Sequence, residues 1–266
     1  MPLRMPLPIR SLGPYRYADA GSPEAPAVVF LHGMLGDVGN FEESASTVAA
    51  AGFRALIPLL PVYGLPLGQT SVSGLAEHFA GFFEALRLRD AVLVGNSLGG
   101  HVALLFAQRH PDVVRALVLA GSSGLYEVSI GVSTPKRFDR EFVRDRTAFT
   151  FHDPRHATDA LVDEMLSIIG DRERLLRLVK MARSARSTTM EGVLPSITAP
   201  TLLVWGRDDR ITPPFVAEEF ARLLPHAQIA WINACAHAPM IEQPEAFHTY
   251  LLDFLMLVAA RQASAA

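Results

Sequence analysis

Ser97 lies among residues whose types could make its hydroxyl group a nucleophile. It is the central residue of Gly95-Asn-Ser-Leu-Gly99, and it follows an apolar run at 91–94 that predicts a short buried strand. Apolar residues at helical spacing come next, and His110-Pro111 ends them. A serine on so sharp a turn adopts a strained backbone conformation, which is tolerable because glycine neighbours lack bulk. The pattern therefore predicts a serine hydroxyl at the N-terminus of a helix, where free N–H groups favour an anion.

A serine hydroxyl is a poor nucleophile at neutral pH, so it needs an imidazole to take its proton and a carboxylate to orient that imidazole. Among the nine histidines, His237 is the one in a loop with a suitable context, after an apolar run at 228–232. Asp208 and Asp209 lie in the loop that follows a similar run at 201–205. Adjacent side chains project in different directions, so one carboxylate can face His237 while the other caps the loop or pairs with an arginine. These residues by themselves leave the choice open.

The apolar pattern predicts the elements that must position these side chains. Buried strands are predicted at 27–31, 55–57, 91–94, 116–120, 201–205 and 228–232, and a hairpin is predicted at 7–18. As far as residue 124 the strands alternate with helical patterns, which predicts a parallel sheet covered on both faces. Residues 125–195 instead contain three helical patterns, one of them starting at Asp153-Pro154. We therefore expect an α/β core formed by residues 1–124 and 196–266, with a helical cap inserted at 125–195.

Four motifs in this chain resemble those of the α/β-hydrolase family, and the resemblance covers essentially its whole length. They are His32-Gly33-Met34, the Gly95–Gly99 stretch, Gly-x-x-Asp-x-x-x-Pro at 206–213, and a histidine before Glu242-Gln-Pro244, with Ala236 in place of the usual glycine. The resemblance implies a mostly parallel, roughly eight-stranded sheet, and it requires no cofactor or metal. It selects Asp209 rather than Asp208 as the acid. It also implies that Met34 N–H, together with the N–H of Leu98 next to the nucleophile, binds the oxyanion.

These residues favour a carboxylesterase that forms an acyl-enzyme on Ser97 and acts on a small-molecule ester or related acyl substrate. The stretch Gly95 to Gly100 also resembles the serine-dependent hydrolases that cleave carbon–carbon bonds in ring-fission products. Those hydrolases commonly carry more glycines at the positions of Met34-Leu35 and a tryptophan at the position of Ala238. An arginine such as Arg183 or Arg186 could bind the carboxylate of such a substrate. A third hypothesis is a small-ligand binder on the same fold, since fold does not guarantee function.

Composition restricts the class of protein further. Half of the 266 residues are hydrophobic, 19% are charged and the net charge is −3, so there is no electrostatic case for nucleic acid. The single cysteine, Cys235, excludes an intrachain disulfide and a cysteine-based metal site. No stretch has the pattern of a signal peptide or of a membrane span, so we expect a cytoplasmic monomer or homodimer. Three apolar residues of the expected cap, Phe138, Phe142 and Met165, are candidates to line a substrate pocket.

Overall fold

Eight strands form one sheet in the part of the chain that the computed structural model describes, residues 6–128 and 139–263. The strands are β1 (Ile9–Leu12), β2 (Tyr15–Ala20), β3 (Ala27–Leu31), β4 (Arg54–Pro58), β5 (Ala91–Asn96), β6 (Val114–Ala120), β7 (Thr201–Gly206) and β8 (Ala227–Ile232). Their order across the sheet is β1-β2-β4-β3-β5-β6-β7-β8. Strands β3 to β8 run parallel, while the β1–β2 hairpin pairs antiparallel with β4. This architecture confirms the expected mostly parallel, eight-stranded α/β sheet.

Helices cover both faces of the sheet because its central strands are apolar on both sides. The described helices are α1 (Glu42–Ala50), α2 (Val72–Ala85), α3 (Leu98–Arg109), α4 (Arg140–Ala148), α5 (Asp159–Gly170), α6 (Arg172–Ser187), α7 (Pro214–Leu223), α8 (Pro239–Glu242) and α9 (Pro244–Ala263). Along β3, Val29 and Leu31 belong to the buried cluster that includes side chains of α2, α3 and α7, whereas Val28 and Phe30 belong to the cluster that includes those of α1 and α9. None of the described helices is long and apolar enough to cross a membrane.

The register of the parallel strands brings their carboxyl ends to one edge of the sheet. Leu31 of β3 pairs with Gly95 of β5, and Asn96 pairs with Ala120, the last residue of β6. At the other end of this edge, β7 and β8 finish together. Loops that leave the carboxyl ends of neighbouring parallel strands meet, and this is where open α/β sheets bind their ligands. His32, Ser97, Asp209 and His237 all lie in such loops.

The chain between β6 and β7 forms a helical insertion, which contains α4, α5 and α6. A small cluster of buried apolar side chains joins α4 and α5, namely Val143, Val162, Met165 and Ile168, and Leu178 of α6 packs against it. The prediction that the second of these helices starts at Asp153-Pro154 is wrong. Asp153 caps a single 3-10 turn at Pro154–His156, and α5 begins at Asp159 with the Thr158 side chain accepting from the N–H of Leu161. Both Asp153-Pro154 and Thr158-Asp159 are sequences that favour the start of a helix. The chain uses the first for the 3-10 turn and the second for α5.

Candidate active site

Ser97 occupies the tight turn between β5 and α3 that the sequence predicts. Its φ of 52° and ψ of −119° lie in a region that a residue with a side chain rarely adopts. The turn fits because glycines surround it: a Cβ on Gly99 would lie 2.0 Å from the carbonyl oxygen of Leu31, and one on Gly100 would lie 2.3 Å from Ser122 Oγ. Any side chain at these positions would push the helix away from the sheet. The glycines therefore permit both the strain and the close approach.

Asn96 fixes this turn to the loop that carries His237. The Asn96 side-chain amide donates to the carbonyl oxygens of Ala120 and His237, each at 2.9 Å. The backbone of Ser97 is also held, since its N–H donates to Ala120 and its carbonyl accepts from Ser123 N–H, both at 3.1 Å. Sequence reasoning did not assign a role to Asn96. Its position directly before the serine was the available signal, because a side chain at the end of β5 points toward neighbouring loops.

Asp209 and His237 form a buried hydrogen-bonded pair. His237 Nδ1 lies 2.9 Å from Asp209 Oδ2, and Asp209 is 2% exposed. The other carboxylate oxygen, Oδ1, accepts from the N–H groups of Ile211 and Thr212 at 2.8 and 2.9 Å, and the Thr212 hydroxyl donates to Oδ2 at 2.8 Å. These hydrogen bonds fix the carboxylate in orientation. Because Thr212 binds Asp209, α7 begins at Pro214 without a side-chain cap.

The neighbouring carboxylate, Asp208, faces a different partner. Its Oδ2 lies 2.8 Å from Nδ1 of His152 in the insertion, and both side chains are nearly half exposed. The two adjacent aspartates therefore point in different directions, as the sequence argument required. The structure brings Asp209, not Asp208, to His237, which is the arrangement that the family spacing implies.

The electrostatic environment of His237 determines which proton it carries. Burial opposes protonation of the ring, but the Asp209 carboxylate outweighs it, with further contributions from Glu127 and Glu242, so the pKa of His237 is raised above its ordinary value. With Nδ1 bound to Asp209, Nε2 is the ring nitrogen left to exchange a proton with a substrate or nucleophile. Gly121 packs against this pair at φ +50°, and a Cβ there would lie 2.9 Å from His237 Nδ1. This arrangement suits a general base.

The loop after β3 lies beside Ser97, as expected for a donor of an oxyanion hole. A Cβ on Gly33 would lie 3.5 Å from Ser97 Cβ, and the N–H of Gly36 closes a turn onto the Gly33 carbonyl. Met34 is therefore at the tip of this turn, and its carbonyl accepts from the Tyr63 hydroxyl at 3.3 Å. Leu98 is the first residue of α3, so its N–H has no acceptor within the helix. Both predicted donors lie at the nucleophile end of the site.

His32 holds this loop from the inside of the protein. Its Nε2 accepts from the N–H of Leu60 at 2.9 Å, and its Nδ1 lies 2.8 Å from the carbonyl oxygen of Gly33. Burial lowers the pKa of His32, so the ring is neutral, with the proton on Nδ1. The contacts are those of a residue that shapes the loop.

The candidates for the substrate pocket lie in or near the insertion. Phe142 and Met165 pack in the apolar cluster shared by α4, α5 and α6, and the Tyr63 ring packs against the same cluster. Phe138 lies outside the described residues. Arg183 and Arg186 are both exposed on α6. The role of the three apolar residues as a pocket lining stays a prediction, as does the use of the insertion as a cap.

Glu242 is a buried residue of the site that sequence reasoning used only as part of a motif. Its carboxylate accepts backbone N–H groups on both sides of His237 and a third from His152 in the insertion. The signal that could have revealed it was a glutamate five residues after the histidine, within an otherwise apolar stretch. Within residues 6–128 and 139–263, no group of three or more His, Cys, Asp or Glu side chains could hold a metal ion.

Comparison with known proteins identifies relatives that match most of this chain. A 2-hydroxy-6-oxononadienedioate/2-hydroxy-6-oxononatrienedioate hydrolase from Burkholderia vietnamiensis is 32% identical over 90% of both chains. A hydrolase with the same name from Cupriavidus pinatubonensis is 30% identical over 87% of both chains. Among solved structures, an alpha/beta hydrolase enzyme from the metagenome of sediments of the Mar Chica lagoon, Morocco, is 34% identical, with a TM-score of 0.77 over 93% of this chain and 97% of that one.

A second solved structure, a membrane phospholipase A described as a bacterial virulence factor, is 28% identical, with a TM-score of 0.79 over 92% of this chain and 83% of that one. The model of the alpha/beta hydrolase family matches residues 28–249, which include Ser97, Asp209 and His237. That match covers most of the chain, and it confirms the resemblance on which the sequence prediction rests. This chain belongs to the alpha/beta hydrolase family.

Proposed function

We propose that this protein is a serine hydrolase that cleaves a carbon–carbon bond in a 2-hydroxy-6-oxo-dienoate, the class of substrate in its relatives' names. The observation that best supports a serine hydrolase is the buried Asp209–His237 hydrogen bond, on a loop that the amide of Asn96, the residue before Ser97, binds through the His237 carbonyl. The choice of bond is supported by relatives that match about nine-tenths of both chains. The carboxylesterase hypothesis, favoured by the sequence motifs, becomes the second candidate.

The mechanism follows from the positions of these groups. His237 Nε2 takes the proton of Ser97, whose oxygen attacks the 6-oxo carbon of the substrate, and Asp209 stabilises the imidazolium. The N–H groups of Met34 and Leu98 bind the oxyanion. The substrate reacts as its keto tautomer, in which the proton of the C2 hydroxyl has moved to C5. The bond from C6 to C5 then breaks, and its electron pair is delocalised through the C3–C4 double bond onto the oxygen at C2. His237 returns the proton to the leaving carbon, and water releases the acyl group from Ser97 in a second cycle.

The test is hydrolysis of a synthetic 2-hydroxy-6-oxo-dienoate, followed by the loss of its conjugated absorbance, beside a p-nitrophenyl ester series from acetate to decanoate. We expect kcat/KM to be highest for the dienoate. Ser97→Ala is expected to lower turnover of both substrate types by at least about 10⁴-fold. Turnover that survives in Ser97→Ala would refute the serine mechanism. A folded protein that turns over neither substrate type would instead favour the ligand-binding hypothesis.

Ester hydrolysis is the second candidate because particular residues depart from the pattern of the carbon–carbon hydrolases. Met34-Leu35 and Ala238 replace the residues common in those enzymes, and Arg183 and Arg186 are exposed on α6. The membrane phospholipase A at 28% identity also has the same fold. If a p-nitrophenyl ester is the better substrate by more than tenfold in kcat/KM, ester hydrolysis replaces carbon–carbon cleavage as the proposed function.

A further inference from the structure

We infer that Glu242 is a positioning residue that holds the His237 loop in register and ties it to the helical insertion. This inference rests on the proposed function, because it assigns to Glu242 an effect that acts through the base of the serine mechanism. The Glu242 carboxylate binds the backbone N–H groups of Ala236, Ala238 and His152, so its effect on the reaction must pass through the loop.

The first observation is the set of hydrogen bonds that Glu242 accepts. Its Oε1 accepts from the N–H groups of Ala236 at 3.0 Å and Ala238 at 3.2 Å, the residues on either side of His237. Its Oε2 accepts from the N–H of His152 at 2.6 Å. The residue is 9% exposed, and a buried carboxylate is stable only when it is compensated in this way. Two of these bonds fix the backbone of the His237 loop, and the third ties the same carboxylate to the insertion.

The second observation is that the insertion contacts the same loop from the other side. The N–H of His237 donates to the carbonyl oxygen of Thr150 at 3.1 Å. The carbonyl of Thr150 thus accepts from His237, and the N–H of His152 donates to Glu242, so two backbone groups of the insertion bind the His237 loop. We call residues 150–152 together with Glu242 the clamp. Because the clamp joins the insertion to the base, displacement of the insertion displaces the imidazole.

The loop between β7 and α7, which carries both aspartates and which we call the acid loop, contacts the clamp as well. Arg210 donates from Nη2 to the carbonyl oxygen of Phe151 at 3.2 Å, and Asp208 pairs with the His152 ring. The Asp208–His152 pair is nearly half exposed, so it contributes little by itself. The two contacts show that residues 150–152 are bound on one side by the acid loop and on the other by the histidine loop. Glu242 supplies the buried charge in this arrangement.

Glu242 also acts on the proton affinity of His237. The carboxylates that raise the pKa of this ring, against the opposing effect of burial, are Asp209, Glu127 and Glu242. A residue that merely stabilised the fold would leave the pH dependence of the reaction unchanged. Loss of the Glu242 charge, in contrast, should lower the pKa of His237, so the pH at which the reaction rate falls to half on acidification should be lower.

The experiment compares Glu242→Gln and Glu242→Asp with the wild type and with Glu245→Gln as a matched control, since Glu245 is exposed three residues further along. The readouts are the rate at which Ser97 is labelled by a fluorophosphonate as a function of pH, and kcat and KM for the better substrate. The label reports on the nucleophile and its base whatever the natural substrate is. Circular dichroism and thermal melting establish that each variant is folded.

We expect Glu242→Gln to lower the maximal labelling rate and kcat by about 10- to 100-fold with little change in KM, because a base displaced by about 1 Å can cost about 10²-fold. In Glu242→Gln, the midpoint of the labelling rate as a function of pH should move to lower pH. Glu242→Asp keeps the charge but cannot reach both sets of N–H groups, so its rate should fall while its midpoint stays close to that of the wild type. Glu245→Gln should match the wild type in both measurements.

A Glu242→Gln variant with the wild-type rate and midpoint would overturn the inference, and so would an equal effect of Glu245→Gln. Hydrogen exchange gives a second readout that needs no activity. Exchange of the amides of Ala236, Ala238 and His152 should become faster in Glu242→Gln, and unchanged exchange would contradict the clamp. If folded wild-type protein is not labelled at all, the proposed function fails, while hydrogen exchange still decides whether the clamp exists.

Discussion

The pair Asp209→Asn and Asp208→Asn tests the assignment of the acid with two changes that are identical in chemistry and adjacent in sequence. Asp209 accepts from Ile211, Thr212 and the His237 ring, whereas Asp208 contacts the exposed ring of His152. In Asp209→Asn, the amide oxygen can still accept the two backbone N–H groups, so the loop keeps its shape. The amide nitrogen, however, then faces the ring of His237 as a donor.

The magnitude follows from that reversal. Two donors cannot pair, so His237 adopts the tautomer with its proton on Nε2, and this nitrogen can no longer take the proton of Ser97. Loss of the correct tautomer and of the stabilised imidazolium is expected to lower kcat by about 10⁴-fold, or about 5 kcal/mol of transition-state stabilisation. The Asp208 contact is a surface pair at 46% exposure of its side chain, worth about 0–1 kcal/mol, so Asp208→Asn should change kcat by less than about fivefold.

The assay is steady-state hydrolysis of the better substrate, together with fluorophosphonate labelling of Ser97, for both variants and the wild type. Melting curves for the two variants should agree with each other within a few degrees, which would exclude unfolding as the cause. Similar losses in the two variants, or a larger loss for Asp208→Asn, would refute the assignment of Asp209 and the geometric reasoning behind it.

The remaining predictions concern the base and the two loops beside it. Because His237 must be neutral to take a proton and its pKa is raised by nearby carboxylates, kcat/KM should fall on acidification with a midpoint above the ordinary value of 6.5, as a pH profile would measure; a lower midpoint would contradict this. Gly99→Ala places a Cβ 2.0 Å from the Leu31 carbonyl oxygen and should lower the free energy of unfolding by about 1–3 kcal/mol, whereas Gly170→Ala, with open space around it, should not destabilise the protein in the same denaturant titration. His32→Ala removes the acceptor of the buried Leu60 N–H and should lower the free energy of unfolding by about 1–3 kcal/mol, and it should also lower kcat for the same substrate. Wild-type values in both measurements would show that this ring does not hold the loop.

Much of the site could be predicted because its local geometry follows from residue type. A serine at φ 52° between a strand and a helix requires glycine neighbours, and that requirement is visible as Gly95, Gly99 and Gly100 in the sequence. The alternation of apolar strands and amphipathic helices likewise follows from short-range periodicity, which fixes an α/β sheet. The wrong start of the second insertion helix shows the limit of such reasoning. Asp153-Pro154 and Thr158 are both valid starts locally, and packing of the insertion decided which one α5 uses.

The contacts that complete the site could not be predicted because they join residues distant in sequence. Asn96 binds the carbonyl of a residue 141 positions away, and Glu242 binds the N–H of His152, 90 positions away. No local pattern marks either partner, since both are backbone groups that any residue type would offer.

The sequence by itself determined the order of strands and helices along the chain, the tight turn at Ser97 and the choice of His237, because each depends on residues within a few positions of one another. The residues by themselves left the choice between Asp208 and Asp209 open, and the family spacing favoured Asp209. The tertiary structure places Asp209 against that histidine, where two loops converge at the edge of the sheet. It also decided that the insertion holds the histidine loop through Glu242. The physical reason is that hydrogen bonding between loops depends on the direction of side chains and backbone groups in the folded chain, which the packing of the sheet and its helices fixes.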